Sequence, residues 1–199
     1  MKINKLTIHP MALLFFVWML LSDRSGIAVM TILAALLHEG GHIAAARVMH
    51  IPLHQLQLDL LGARLEVRGR LLSYSEEWLL AVAGPLTSLL CALVGGLFWQ
   101  ISKLAILFSC ASLLLGILNL LPIKIFDGGK MLELLLLSVF GVKVSKNVMN
   151  IFSFLFLFLL WSFSVYFLLR ATDGLSLFCF SVSLLSRFFD GSPKLGSNN

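Results

Sequence analysis

His38-Glu39-Gly40-Gly41-His42 sets two imidazoles four residues apart with a carboxylate beside the first. On a helix, residues at i and i+4 lie one turn apart on the same face, so both rings can address one metal ion. Glu39 stands next to them without being a ligand and can act as a general base toward water. Such a set allows metal-assisted hydrolysis. A zinc ion used that way normally takes three protein ligands and keeps one position for water, so a third ligand is needed. The chain offers His9, His50 and His54 in loops or at segment ends, Glu133 in a short apolar stretch, and Asp127 between Pro122 and the Gly128-Gly129 pair. Asp127 is favoured, because proline and paired glycines interrupt a helix, and broken helices at membrane depth are tolerated where they line a polar cavity. On local pattern alone, an ordinary Asp-Gly turn at a segment end is the simpler alternative.

The elements that must position these residues are apolar. Of the 199 residues, 59% are hydrophobic and 13% charged, and the mean hydropathy is +0.96. These values define an integral membrane protein and exclude a soluble domain with a large core. Apolar segments run over Pro10–Leu21, Ile27–Val48, Trp78–Trp99, Leu104–Leu121, Val148–Leu169 and Leu175–Phe189. Spans need about 20 apolar residues each, so the expectation is an all-α membrane protein with about six transmembrane helices. A shorter helix over Met131–Phe140, after the Asp-Gly pair, is expected to be re-entrant or interfacial. The motif lies inside the second segment. Ionisable residues are expensive within a span and are kept where they meet partners, ions or water, which favours a functional site over incidental placement.

Between the second and third segments the pattern changes. Leu56, Leu58 and Leu60 alternate with Gln55, Gln57 and Asp59, and beyond Leu61-Gly62 the residues Ala63, Leu65 and Val67 alternate with Arg64, Glu66 and Arg68. Period-two alternation predicts a small β-hairpin. It can cap the cytoplasmic mouth of the bundle, or its free edge can add an extended substrate as a further strand.

Charge orients the spans. With six of them, Lys2, Lys5, Arg47, Arg64, Arg68, Arg70, Lys124, Lys130, Lys143, Lys146, Arg187 and Lys194 fall on one side, and only Arg24, Lys103 and Arg170 on the other. The positive-inside rule then gives cytoplasmic N- and C-termini. The net charge of +5 is thereby a matter of topology, and no nucleic-acid partner is expected. Trp78 and Trp99 bracket the third segment as interfacial anchors. Cys91, Cys110 and Cys179 are odd in number, sit in apolar segments and read as packing residues rather than a disulfide framework.

His38-Glu39-x-x-His42, followed by Asn119-x-x-Pro122-x-x-x-x-Asp127-Gly128, resembles the paired signature of the site-2 protease family of intramembrane zinc metalloproteases (peptidase M50). Ala83-Gly84-Pro85 resembles a recurrent element of that family. The layout is similar to the branch containing the sporulation stage IV protease that processes a pro-sigma factor, including Lys5–Pro10 as the lead into the first span. The resemblance implies one Zn2+ per chain held by His38, His42 and Asp127, Glu39 as catalytic base, and Asn119 and Pro122 shaping the substrate or oxyanion side of the cleft. An alternative role for Asn119 is to cap the broken helix. The implied activity is hydrolysis within or next to transmembrane segments of a membrane-associated regulator, such as a pro-sigma or anti-sigma factor, in a bacterial cytoplasmic membrane. An inhibitory or regulatory membrane protein would be a second partner.

Some positions depart from the family pattern. Gly40-Gly41 replaces a bulkier residue after the base and lowers helix propensity by up to about 2 kcal/mol relative to alanine. Ser88 stands where asparagine is often seen, Ile125 where a second proline is common, and Phe126 where leucine is usual. One membrane domain is expected over residues 1–199, with a short polar tail at about 190–199 and no appended cytosolic regulatory or PDZ-like domain. Two other function classes share the ligand set. A zinc transporter would use the same residues for transport, but no inverted repeat accompanies them. An inactive scaffold or chaperone of the same fold is disfavoured by the intact Glu39.

Overall fold

Residues 5–8, 17, 19–21, 23, 25–51, 53–59, 62–67, 72–170 and 175–190 are described in a computed structural model of the chain. Its elements fall into two units, Met1–Leu121 and Pro122–Asn199.

In the first unit, helix α1 (Ile27–Val48) carries the His-Glu-x-x-His sequence. Asp23 organises its start. The carboxylate accepts from Ser25 N at 3.0 Å, Ser25 Oγ at 2.9 Å, Gly26 N at 3.0 Å and Ala28 N at 2.9 Å. Desolvation pushes the Asp23 pKa up, but the bonds from Ser25, Val29 and Ala28 outweigh it and hold the carboxyl below its ordinary value of 3.8. At the other end, His50 adopts φ 55. Ile51 N donates to Ala46 O at 2.9 Å and His50 N to Arg47 O at 3.2 Å, the two bonds of a Schellman stop. Ile51 then packs with Ala46 and Leu80, closing the motif with its customary apolar contact. His50 therefore ends a helix, in an exposed left-handed position that a β-carbon resists.

Helix α2 (Tyr74–Leu97) starts with a capping box, Ser73 Oγ accepting from Glu76 N while Glu76 Oε2 accepts from Ser73 N. Helix α3 (Lys103–Asn119) begins at Ser102, whose hydroxyl accepts from Leu104 N at 3.2 Å. The three helices pack on one another through small residues: a β-carbon on Gly95 would sit 3.0 Å from Phe108 Cδ1, and one on Gly116 3.2 Å from Ser88 Cβ. Lipid tails are as apolar as leucine, so this close approach, rather than apolar burial, holds membrane helices together. Leu86, Leu90, Leu93 and Leu97 on α2 are accordingly exposed.

Strands β1 (Lys5–Ile8), β2 (Leu53–Asp59) and β3 (Gly62–Val67) form a sheet in that order. β2 pairs antiparallel with β3, Leu56 opposite Leu65 and Gln57 opposite Arg64; residues 60–61 between them lie outside the described residues. β1 pairs parallel with β2, Lys5 opposite Gln55. Lys5–Ile8 is thus a strand and not simply the lead into a span, and the expected all-α class is corrected to a predominantly helical protein with one small sheet. A strand of four residues is too short to register as alternation, and its partner lies far along the chain.

The second unit contains α4 (Asp127–Arg170) and α5 (Leu175–Asp190). Gly141, at φ 78 and ψ 173, breaks α4 into limbs over 127–140 and 142–170. That backbone region is open to glycine alone. The break separates the short helix expected at Met131–Phe140 from the segment expected at Val148–Leu169. α5 packs on α4, where Ser164 and Ser181 bring their hydroxyls to 2.8 Å.

Among the described residues three helices, α1, α2 and α4, are long and apolar enough to cross a membrane. The chain is a membrane protein, but the expected count of six spans is not upheld. α3 has 17 residues and the apolar part of the last helix is Leu177–Phe189. At 1.5 Å per residue each falls short of a hydrocarbon core about 30 Å thick. The expected first span, Pro10–Leu21, and the polar tail lie largely outside the described residues.

Two stability predictions follow from the ends of α1. His50→Gly relieves the left-handed strain and stabilises the protein by about 1 kcal/mol, read as a higher unfolding midpoint in detergent. The depressed Asp23 pKa adds stability that is fully present above its unfolded value and lost as pH falls through the folded one. The midpoint difference between wild type and Asp23→Ala is therefore largest near neutrality and shrinks as pH drops below 3.8.

Candidate metal centre

His38 and His42 are both buried, at 3% and 8% relative exposure, on the side of α1 that meets α2. Their ring centroids are 5.0 Å apart at an interplanar angle of 79°, and a ring nitrogen of each lies within 4.8 Å of one on the other. The opposing face of α2 presents Leu80, Gly84 and Ser88, each one turn after the last. His42 Nδ1 lies 2.8 Å from the Leu80 carbonyl oxygen. A carbonyl only accepts, so Nδ1 carries the proton, and Nε2 is the nitrogen left to face a metal. His38 Nδ1 lies 2.8 Å from Ser88 Oγ, a hydroxyl 1% exposed that can play the same part. An outer partner on one ring nitrogen, fixing tautomer and orientation, is what metal-bound histidines usually have.

Glycine makes the face. A β-carbon on Gly84 would collide with His42 Nε2 and lie 2.8 Å from His38 Nε2, while one on Gly41 would collide with Thr87 Oγ1 and sit 2.8 Å from the Ala83 carbonyl oxygen. Gly41 is therefore the point at which α1 reaches α2, and Gly84 leaves the room that the two Nε2 atoms occupy. Gly40 has no neighbour within 4 Å of such a carbon. One residue beyond Gly84, Pro85 is buried inside α2, where its ring removes one rung of the helical ladder. The fit to a metal is good on donor chemistry alone: two buried imidazoles with outer partners on Nδ1, facing a cradle that any side chain would fill.

Glu39 is half-buried on the same helix. Asn119 is the last residue of α3, and its Nδ2 donates back one turn to the Leu115 carbonyl at 3.0 Å. In the second unit, Pro122 is half-buried and Asp127 is the half-buried first residue of α4. His50 is an exposed helix terminator and Glu133 lies on the first limb of α4. His9 and the His54 side chain lie outside the described residues. Sequence reading passed over Leu80, Gly84 and Ser88 as partners of the histidines. The four-residue spacing of Gly84 and Ser88 was a usable signal, but a hydrogen bond across 50 residues has none.

Residues 95–163 match the family described as Peptidase family M50. Rip3 of Mycobacterium tuberculosis, whose name proposes a zinc metalloprotease, is 32% identical over 134 residues in each of two strains. The aligned part is 62% of this chain and 34% of Rip3, so the chain spans about a third of the curated relatives' length. The site-2 protease of Methanocaldococcus jannaschii has the same fold, with a TM-score of 0.70 at 19% identity over 100% of this chain and 96% of that one.

The chain is thus similar in fold to a site-2 protease and, over residues 95–163, to Peptidase family M50.

The M50 match covers Asn119, Pro122 and Asp127 and leaves out His38, Glu39 and His42. The histidine pair is therefore supported by its own geometry in α1 and α2.

Gly84 and Gly40 are expected to separate on substitution. Gly84→Ala overpacks against the imidazoles and destabilises by about 1–3 kcal/mol. Gly40→Ala gains up to about 1 kcal/mol from helix propensity. Unfolding midpoints of the two variants, moving in opposite directions from wild type, would establish this.

Proposed function

We propose that this chain is an intramembrane zinc endopeptidase that cleaves peptide bonds within or next to transmembrane segments of a membrane-associated regulator. The observation that carries this reading is the buried histidine pair whose Nδ1 atoms face the Leu80 carbonyl and the Ser88 hydroxyl. Imidazoles oriented by outer partners in an apolar helix pair suit a metal site. One Zn2+ per chain would be held by His38 and His42 through Nε2 and by a carboxylate oxygen of Asp127. Zinc would supply Lewis acidity, lowering the pKa of a water to about 7 and polarising the peptide carbonyl.

The chain's own residues do the rest. Glu39 accepts the proton of the attacking water and returns it to the departing amine. Leu80 and Ser88 hold the imidazole planes, and the apolar walls exclude bulk water. Asn119 and Pro122 shape the cleft, with the Asn119 amide held against the Leu115 carbonyl. An extended substrate can add to an edge of the sheet, since a transmembrane helix conceals its carbonyls in its own hydrogen bonds. The resemblance in layout supports a bacterial cytoplasmic membrane and a pro-sigma or anti-sigma factor as substrate.

Glu39→Gln is expected to keep zinc and fold and to abolish cleavage, whereas His38→Ala, His42→Ala and Asp127→Asn lose zinc as well. The test is N-terminal sequencing of the membrane proteome from cells carrying wild type or Glu39→Gln at equal levels. Termini inside or beside membrane segments and specific to wild type support the reading. Identical termini, with both proteins expressed and zinc-loaded, would sink it.

A further inference from the structure

Asp127 opens α4, and the residues before it must be held still if its carboxylate is to serve in a metal site. The hold comes from the second limb of the same helix. Lys124 precedes α4, so its N–H has no place in the helical ladder, and it donates to Ser153 Oγ at 2.8 Å. A backbone N–H in apolar surroundings needs an acceptor, and Ser153, 0% exposed, provides one. The segment is tightly folded around that contact. Ile123 is 1% exposed, Phe126 N donates to Ile123 O at 2.8 Å, and a β-carbon on Gly129 would collide with the Ile123 carbonyl. Farther along, Ser145 Oγ donates to Glu133 O at 3.1 Å. Ser145 and Ser153 are two turns apart on one buried stripe of the 142–170 limb, with Met149 between them. They grip the segment on either side of Asp127, across the break at Gly141.

We propose that Ser153 is a positioning residue for Asp127, acting through the Lys124 amide, an inference that rests on Asp127 being a zinc ligand. Loss of the hydroxyl leaves the Lys124 N–H without its acceptor and lets the turn 123–126 shift, moving the carboxylate while the histidine pair stays in place.

The test uses the full chain in detergent, stripped of metal and titrated with Zn2+ against a chromophoric chelator, with hydrogen exchange followed at the Lys124 amide. Ser153→Ala is expected to weaken zinc binding about tenfold, the lower end of outer-partner effects, and to speed Lys124 exchange. Ser153→Thr, which keeps the hydroxyl, is expected to restore both. Wild-type zinc affinity in Ser153→Ala, or unprotected exchange at Lys124 in wild type, would overturn the proposal. Asp127→Asn separates the two layers. If it binds zinc like wild type, the ligand reading itself fails; if it loses zinc while Ser153→Ala does not, only the positioning role fails. Should Ser153→Ala not fold, Ser153→Cys, of similar size and a weaker acceptor, takes its place with the same readouts.

Discussion

Two imidazoles buried between membrane helices need partners for their N–H groups, and meeting that need dictates how α1 and α2 can pack. An unpaired N–H is costly in apolar surroundings, so each Nδ1 gains from a partner on protein. His42 takes the Leu80 carbonyl and His38 faces the Ser88 hydroxyl, two turns apart on α2. Both contacts form only if the helices approach closely, and Gly41 and Gly84 are the residues that permit it. Propensity lost at Gly41 is recovered as contact with Ala83 and Thr87. Fixing the tautomer and packing the helices are therefore one event.

A comparable device operates inside the second unit. The turn at 123–126 and the first limb of α4 carry polar backbone groups that a continuous helix would have satisfied internally. Ser153 and Ser145 provide partners for them from the second limb, and Ser164 with Ser181 joins α5 to the same helix. Hydroxyl groups suit this setting, because each can donate or accept and none introduces a charge. Gly141 permits the break that brings the two limbs face to face, through a conformation that a side chain would obstruct.

Legibility from sequence followed the range of the interactions. The i, i+4 histidine pair, the adjacent Glu39 and the interruption around Pro122 and Gly128-Gly129 are local patterns and could be read directly. So could the change from helical to alternating periodicity that marks β2 and β3. The span count could not, because hydropathy locates apolar stretches but does not say whether a helix is long enough to cross. β1 was missed because a short parallel strand leaves no pattern of its own. Ser88 was visible only as a departure from a family asparagine, when in fact it is the hydroxyl that faces His38.

By itself the sequence determined that the chain lives in a membrane, that His38 and His42 share a helical face with Glu39 beside them, and that the chain breaks before Asp127. These depend on composition and on spacings within a turn or two, where backbone geometry alone relates residue to position. Only the tertiary structure decided which nitrogen of His42 bonds the Leu80 carbonyl, why Gly84 admits no side chain, and where the Lys124 amide finds its acceptor. Each of those depends on a partner tens of residues away, brought within hydrogen-bond reach by helix packing or by a chain reversal. No local pattern encodes such a meeting, because its geometry exists only once the helices are packed.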